Sequence, residues 1–153
     1  LSNVVNSVVE DFNNDLLNSN KNVKININNS NLNGTSLNVL GVEGKLEQIV
    51  ANLLDNAVSF SPPSGKILVI CGIKKKNAQL IIEDEGPGFN ETSIDKVFDR
   101  FYSNRPEKFG EHSGLGLNIV KNIVELHGGS IIASNQHENK KGARIEVLLP
   151  VYK

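Results

Sequence analysis

Three stretches of the chain combine residue types and spacings suited to a phosphorylated ligand. Asn52 and Asn56 stand four residues apart, so on a helix both leave the same face. Gln48, Asp55 and Ser59 share that broad polar face. Magnesium takes oxygen ligands and keeps several waters, so one or two side-chain oxygens suffice. The plainer reading of these residues is a solvated helix face. Asp84-Glu85-Gly86-Pro87-Gly88 sets a carboxylate at the end of an apolar run, with glycines at alternate positions behind it. Such a carboxylate accepts a hydrogen bond from an exocyclic amine, and the glycines permit positive φ or close backbone approach. A tight turn built on its own aspartate is the competing reading. Ser113-Gly114-Leu115-Gly116-Leu117 opens a helical pattern, and the amides of a helix start attract anions.

Two familiar phosphate-binding patterns are absent. A dinucleotide fingerprint requires a further glycine where Ile119 stands, and a strand directly before it. Gly41-Val42-Glu43-Gly44-Lys45-Leu46 has neither the spacing nor the hydroxyl of a P-loop.

The elements that must position these groups follow from periodicity. Leu1, Val4, Val5, Val8, Val9 and Phe12 recur at helical spacing, with Ser2 as the expected cap. Val23 to Ile27 alternates as a half-buried strand, Asn28 to Thr35 reads as a loop, and Leu37 to Leu40 reads as a second short strand. Leu46, Ile49, Val50, Leu53, Leu54 and Ala57 mark one stripe of a helix over Glu43 to Phe60. Ser61-Pro62-Pro63-Ser64-Gly65 ends it. Lys66–Ile73 and Ala78–Asp84 form an expected hairpin about a solvated lysine turn. From Glu85 to Ser113 the pattern is irregular, as in functional loops. A helix then runs from Leu115 to His127 and stops at Gly128-Gly129. Ile131–Ser134 and Ala143–Leu149 are closing strands. The order argues an α+β fold, with helices on one face of a mixed sheet.

At 153 residues the chain fits a single domain with a real core. A net charge of -1 points away from nucleic acid or a membrane surface as the main partner. No apolar run reaches the length of a membrane span. Cys71 is alone in an apolar strand, so a buried inert thiol in a reducing compartment is expected.

The order Asn56, Asp84-x-Gly-x-Gly, Phe98 and Phe101, Gly114-Leu-Gly116-Leu and Gly142 resembles the Bergerat nucleotide fold of histidine kinases, gyrase, Hsp90 and MutL. Within that fold the chain is similar to the ATP-binding catalytic domain of sensor histidine kinases. Asn52-Leu-Leu-Asp-Asn56-Ala matches the N box, and Asp84-Glu-Gly-Pro-Gly88 the first glycine box. Phe98-Asp-Arg-Phe101-Tyr102 matches the F box, and Ser113-Gly-Leu-Gly-Leu117 the second glycine box. His127-Gly-Gly-Ser-Ile and Gly142-Ala-Arg-Ile match the closing segments. The stretches around Ser59-Phe60-Ser61-Pro62 and Arg100-Phe-Tyr-Ser-Asn-Arg-Pro106 resemble the ChvG/ExoS class of alphaproteobacterial envelope sensors.

The resemblance implies a two-layer sandwich with a mobile lid over Glu91 to Ser113, anchored by Phe98 and Phe101. It implies that Asp84 binds the adenine amine, with Gly86, Gly88 and Phe60 beside the base. Asn56 and Asn52 would hold Mg²⁺. Ser113, Gly114, Leu115, Gly116 and Leu117 would meet the phosphates of ATP, with Arg100 or Arg105 as a further contact. His127 would be structural. Many members of the resembled family carry a basic residue where Ser59 stands; its loss would weaken the phosphate contact unless Arg100 compensates. The implied activity is phosphoryl transfer to a histidine on a separate dimerisation segment, then relay to a response regulator. None of His112, His127 and His137 has an acceptor's context, so the chain is expected to be a monomeric piece of a cytoplasmic region trimmed from an inner-membrane sensor. A non-catalytic ATP-sensing module and a serine-directed kinase of the same fold are the rivals.

Overall fold

A computed structural model describes residues 1–16, 23–29, 37–89, 94, 96–99, 116–136 and 141–151. Helix α1 (Ser2–Leu16) turns Val5, Val8 and Val9 into the core. Ser2 is already the first helical residue, and Leu1 accepts from the Val5 amide at 3.0 Å. The N-cap position therefore belongs to Leu1 and not, as the sequence suggested, to Ser2. Strand β1 (Lys24–Asn28) pairs in parallel with β2 (Lys66–Lys74). Parallel neighbours require a crossover, and α2 (Glu43–Phe60) lies between them in the chain.

The expected stripe of α2 is buried throughout, from Leu46 to Ala57, and Phe60 extends it. The helix ends where Ser61 turns extended ahead of Pro62-Pro63. Strands β2 and β3 (Asn77–Glu83) form the expected antiparallel hairpin, closed at Lys74↔Asn77 by Lys75 and Lys76. Lys75 adopts φ 57°, a left-handed conformation that costs a non-glycine residue about 1 kcal/mol.

Helix α3 (Gly116–Leu126) closes with the Gly129 amide on the Val124 carbonyl and the Gly128 amide on the Glu125 carbonyl. Gly128 carries the left-handed φ of 76° that this ending needs. Strands β4 (Ser130–Asn135) and β5 (Ala143–Pro150) complete a five-stranded sheet in the order β1-β2-β3-β5-β4. The expected strand over Leu37–Leu40 amounts to one bridge, Val39↔Val151. The loop expected before it and the lid lie mostly outside the described residues.

The period of two sorts each strand into two faces. Ile25, Ile67, Val69, Cys71, Leu80, Ile82, Ile145 and Val147 meet the helices and are buried. The fold is thus the expected two-layer α+β sandwich, with its core between the sheet and one layer of helices. Burial pushes the Cys71 thiol up to about 11, which keeps it protonated and unreactive at neutral pH.

The opposite face of the sheet carries a charged cluster around Glu146, which is buried despite its type. Its carboxylate accepts from Lys74 Nζ at 3.2 Å and from Gln79 Nε2 at 2.7 Å. Arg144 lies between it and Glu83, at 3.7 Å from each. Burial alone would raise the Glu146 carboxyl, but the hydrogen bonds from Gln79 and Lys74 and the charges of Lys74 and Arg144 outweigh it. The group is held below its ordinary value. A carboxyl depressed in this way adds stability that is complete above its unfolded value and is lost as pH falls through its folded one. Urea midpoints should therefore separate wild type from Glu146→Gln at neutral pH, with wild type the more stable. The two should converge as pH drops below about 4.

Candidate nucleotide site

Period-two alternation carries the inward face of β3 one step past its end, from Leu80 and Ile82 to Asp84. Asp84 is 3% exposed. A buried carboxylate is costly unless it is hydrogen-bonded, and here backbone amides supply the bonds. Gly86 donates to Asp84 Oδ1 at 2.9 Å and Ala143 donates to the same oxygen at 3.2 Å. The Asp84 amide donates to the Ala143 carbonyl at 3.0 Å. Its own carbonyl accepts from Gln136 Nε2 at 2.6 Å. The start of β5, with Gln136 just after β4, thus holds the backbone and side chain of Asp84 together.

That grip depends on Gly142. Its φ is 145°, and a Cβ built there would lie 1.8 Å from the Asp84 carbonyl oxygen. Glu85, next along, accepts from the Lys66 amide at 2.6 Å and secures the start of β2. The segment then passes Gly88, with φ 78°, to the buried Phe89.

On the helix side, Asn52 and Asn56 are both half-buried and share one face of α2. Asn52 Nδ2 reaches the Gly116 carbonyl at 3.5 Å, so the N box touches the first residue of α3. Among the described residues a Cβ at Gly116 would meet nothing within 4 Å, so no packing among them requires a glycine here. Leu117 follows it on α3, half-buried against the core. Phe60 is buried at the end of α2 and Phe98 is buried near α3, where the Phe98 carbonyl accepts from Asn118 Nδ2 at 3.0 Å. Arg100, Phe101, Arg105, Ser113, Gly114 and Leu115 lie outside the described residues.

At the far end of the helix pair, His127 behaves as the structural residue expected. Its Nδ1 lies 2.8 Å from the Ile123 carbonyl, and its Nε2 lies 3.3 Å from the Val42 amide nitrogen. One neutral tautomer, protonated on Nδ1, satisfies both. A Cβ on Gly41 would sit 2.5 Å from the ring. Asn52–Gly116 and Val42–His127 therefore tie two antiparallel helices at both ends of their contact. Three contributors escaped the sequence reading: Gln136 under Asp84, Asn135 against Phe89, and Gly41 under His127. Each acts through geometry that no local motif announces.

A model of the histidine kinase-, DNA gyrase B- and HSP90-like ATPases matches residues 41–153. The chain belongs to this ATPase family. Its similarity falls in the sensor histidine kinase branch, as the motifs implied. The sensor protein ChvG of Agrobacterium fabrum is 44% identical over 122 residues, covering 76% of this chain and 20% of ChvG. The chain thus spans about a fifth of the length of that relative. The mycobacterial sensor histidine kinase MprB superposes with a TM-score of 0.81 at 29% identity, over 98% of this chain and 95% of that structure. Full-length ShkA in complex with AMPPNP has the same fold, with a TM-score of 0.80 at 23% identity, over 99% of this chain and 30% of ShkA.

Two of the glycines at the ATPase domain's site, Gly142 and Gly116, make opposite predictions. Gly142→Ala drives a methyl into the Asp84 backbone, and should cost about 3 kcal/mol, or roughly 6–12 °C in a thermal melt. Gly116→Ala meets nothing among the described residues, and should leave stability within about 0.5 kcal/mol of wild type.

Proposed function

We propose that the domain binds Mg²⁺-ATP and donates its γ-phosphoryl group to a histidine on a separate dimerisation segment. The observation that carries this reading is the buried Asp84 carboxylate, fixed by two backbone amides at the end of the sheet. Adenine presents an exocyclic amine where guanine presents a carbonyl, so such an acceptor favours ATP over GTP. Gly86 and Gly88 let the chain run close to the base, and Phe60 supplies an aromatic neighbour. The first turn of α3 directs amides at the phosphates. ShkA, of the same fold, binds AMPPNP, which supports a nucleoside triphosphate as the ligand.

The donor set fits a hard cation. Among the described residues no cluster of three or more His, Cys, Asp or Glu side chains could hold a metal. As the resemblance implies, the Asn56 and Asn52 carboxamide oxygens would hold the ion, since magnesium needs few protein ligands when a nucleotide supplies others. When bound, the ion neutralises charge on the phosphates. The chain's own residues orient: Asp84 fixes the base, α3 the phosphates, and the Asn52–Gly116 contact keeps the two in register. Transfer then breaks the bond from Pγ to the bridging oxygen, forms a P–N bond on the acceptor imidazole, and releases ADP.

Read this way, the chain is one catalytic domain of a longer cytoplasmic region, monomeric alone. Its partners are the acceptor segment and a response regulator with an acceptor aspartate. Among the described residues no helix is long and apolar enough to cross a membrane. The relatives are named sensor proteins, which supports the signalling role. Ser59 motivates the non-catalytic sensing reading, because the resemblance leads one to expect a basic residue at that position of α2.

Calorimetry separates these readings. Wild type should bind ATP but not GTP. Asp84→Asn should lose about 1.5–3 kcal/mol of binding, and Asn56→Ala should abolish the Mg²⁺ dependence. Radiolabelled ATP with the acceptor segment added in trans should then label that segment in an acid-labile bond. Binding without transfer would leave the sensing module, and acid-stable label would indicate a hydroxyl acceptor.

A further inference from the structure

The adenine-side loop is gripped a second time, at Phe89, by a residue that the nucleotide motifs do not contain. Asn135 is the last residue of β4 and pairs in register with Ala143. It therefore faces inward, with Asp84, at the same end of the sheet. Its carboxamide meets both polar groups of the Phe89 backbone. Asn135 Oδ1 accepts from the Phe89 amide at 2.6 Å, and Asn135 Nδ2 donates to the Phe89 carbonyl at 3.0 Å.

A carboxamide used in both directions acts as one peptide unit of an added strand. It fixes where the backbone lies and how it is rotated, since either error breaks one of the two bonds. Gly88 is shaped to admit it. A Cβ at Gly88 would lie 2.6 Å from Asn135 Oδ1, and the φ of 78° already disfavours any side chain there. The second glycine of the Asp84-x-Gly-x-Gly run thus leaves room for a side chain of this protein as well as for a ligand. Asn135 and Gln136 together hold both ends of the Asp84–Phe89 segment, one through the Phe89 backbone and the other through the Asp84 carbonyl.

We infer that Asn135 is a positioning residue for the nucleotide base: by holding Phe89 it sets the path of Gly86–Gly88, and with it the precision of the Asp84 contact. The inference rests on the reading of Asp84 as the adenine acceptor.

The test compares ATP with inosine triphosphate, which carries a carbonyl in place of the adenine amine, by calorimetry on the 153-residue chain. In folded Asn135→Ala, ATP affinity should fall about tenfold, inosine triphosphate affinity should change less, and the ratio should shrink. Asn135→Asp keeps the acceptor for the Phe89 amide but sets a carboxylate against the Phe89 carbonyl. It should show the same narrowing, and it decides the question alone if the alanine variant does not fold. Wild-type affinity and ratio in a folded variant would overturn the inference. So would equal losses for both nucleotides, the mark of a purely structural role. Asp84→Asn is the control: if it keeps the wild-type ratio, the adenine reading falls and this inference with it. If it loses the preference while both Asn135 variants keep it, only the positioning role falls.

Discussion

The site depends on one union, that of Asp84 with the first residues of β5. A carboxylate at 3% exposure has lost most of its water, and the amides of Gly86 and Ala143 stand in for it. Those amides are in place because the Asp84 amide is itself bonded to the Ala143 carbonyl. The chain can come this close only where Gly142 has no side chain. The sheet order β3-β5-β4 follows the same logic: β5 must lie beside β3 to reach Asp84, and β4 beside β5 to offer Asn135 and Gln136. A carboxylate fixed by two amides, on a backbone held by Ala143 and Gln136, would need no reorientation to accept from a ligand, which is the physical content of preorganisation.

The helix layer brings the other half of the site. Burial of the α2 stripe presses that helix onto the sheet and leaves the Asn52–Asn56 face at the margin of the core. The register of α2 against α3 is set by contacts at either end, Asn52 with Gly116 and Val42 with His127. Closely packed interiors transmit such constraints. A residue such as Gly41, remote from the nucleotide motifs in sequence, therefore matters to how the N box meets the start of α3.

Much of this was legible in the sequence, for identifiable reasons. The α2 stripe runs over three turns, long enough for its period to be unambiguous. Asp84 stood out as an acid ending an apolar strand with glycines at alternate positions, a pattern that suits a turn on its own aspartate equally well, and its Oδ1 does accept from the Gly86 amide two residues on. The hairpin followed from two alternating runs with a short polar turn. The rest was hidden by distance along the chain. Leu37 to Leu40 reads locally as a strand, but it amounts to one bridge whose partner, Val151, no local signal names. Asn135 reads as an ordinary strand end until Phe89 is placed beside it. The start of α1 was misread by one residue because a serine is the commoner cap, whereas here Leu1 fills the position.

The most direct test of the central claim is a titration of Mg²⁺-ATP into the isotopically labelled chain, followed through backbone amide resonances. The account expects saturable shifts at Gly86, Ala143 and Gly116, with the Glu146 side of the sheet undisturbed. Shifts confined to that opposite face, or none at millimolar nucleotide, would contradict it.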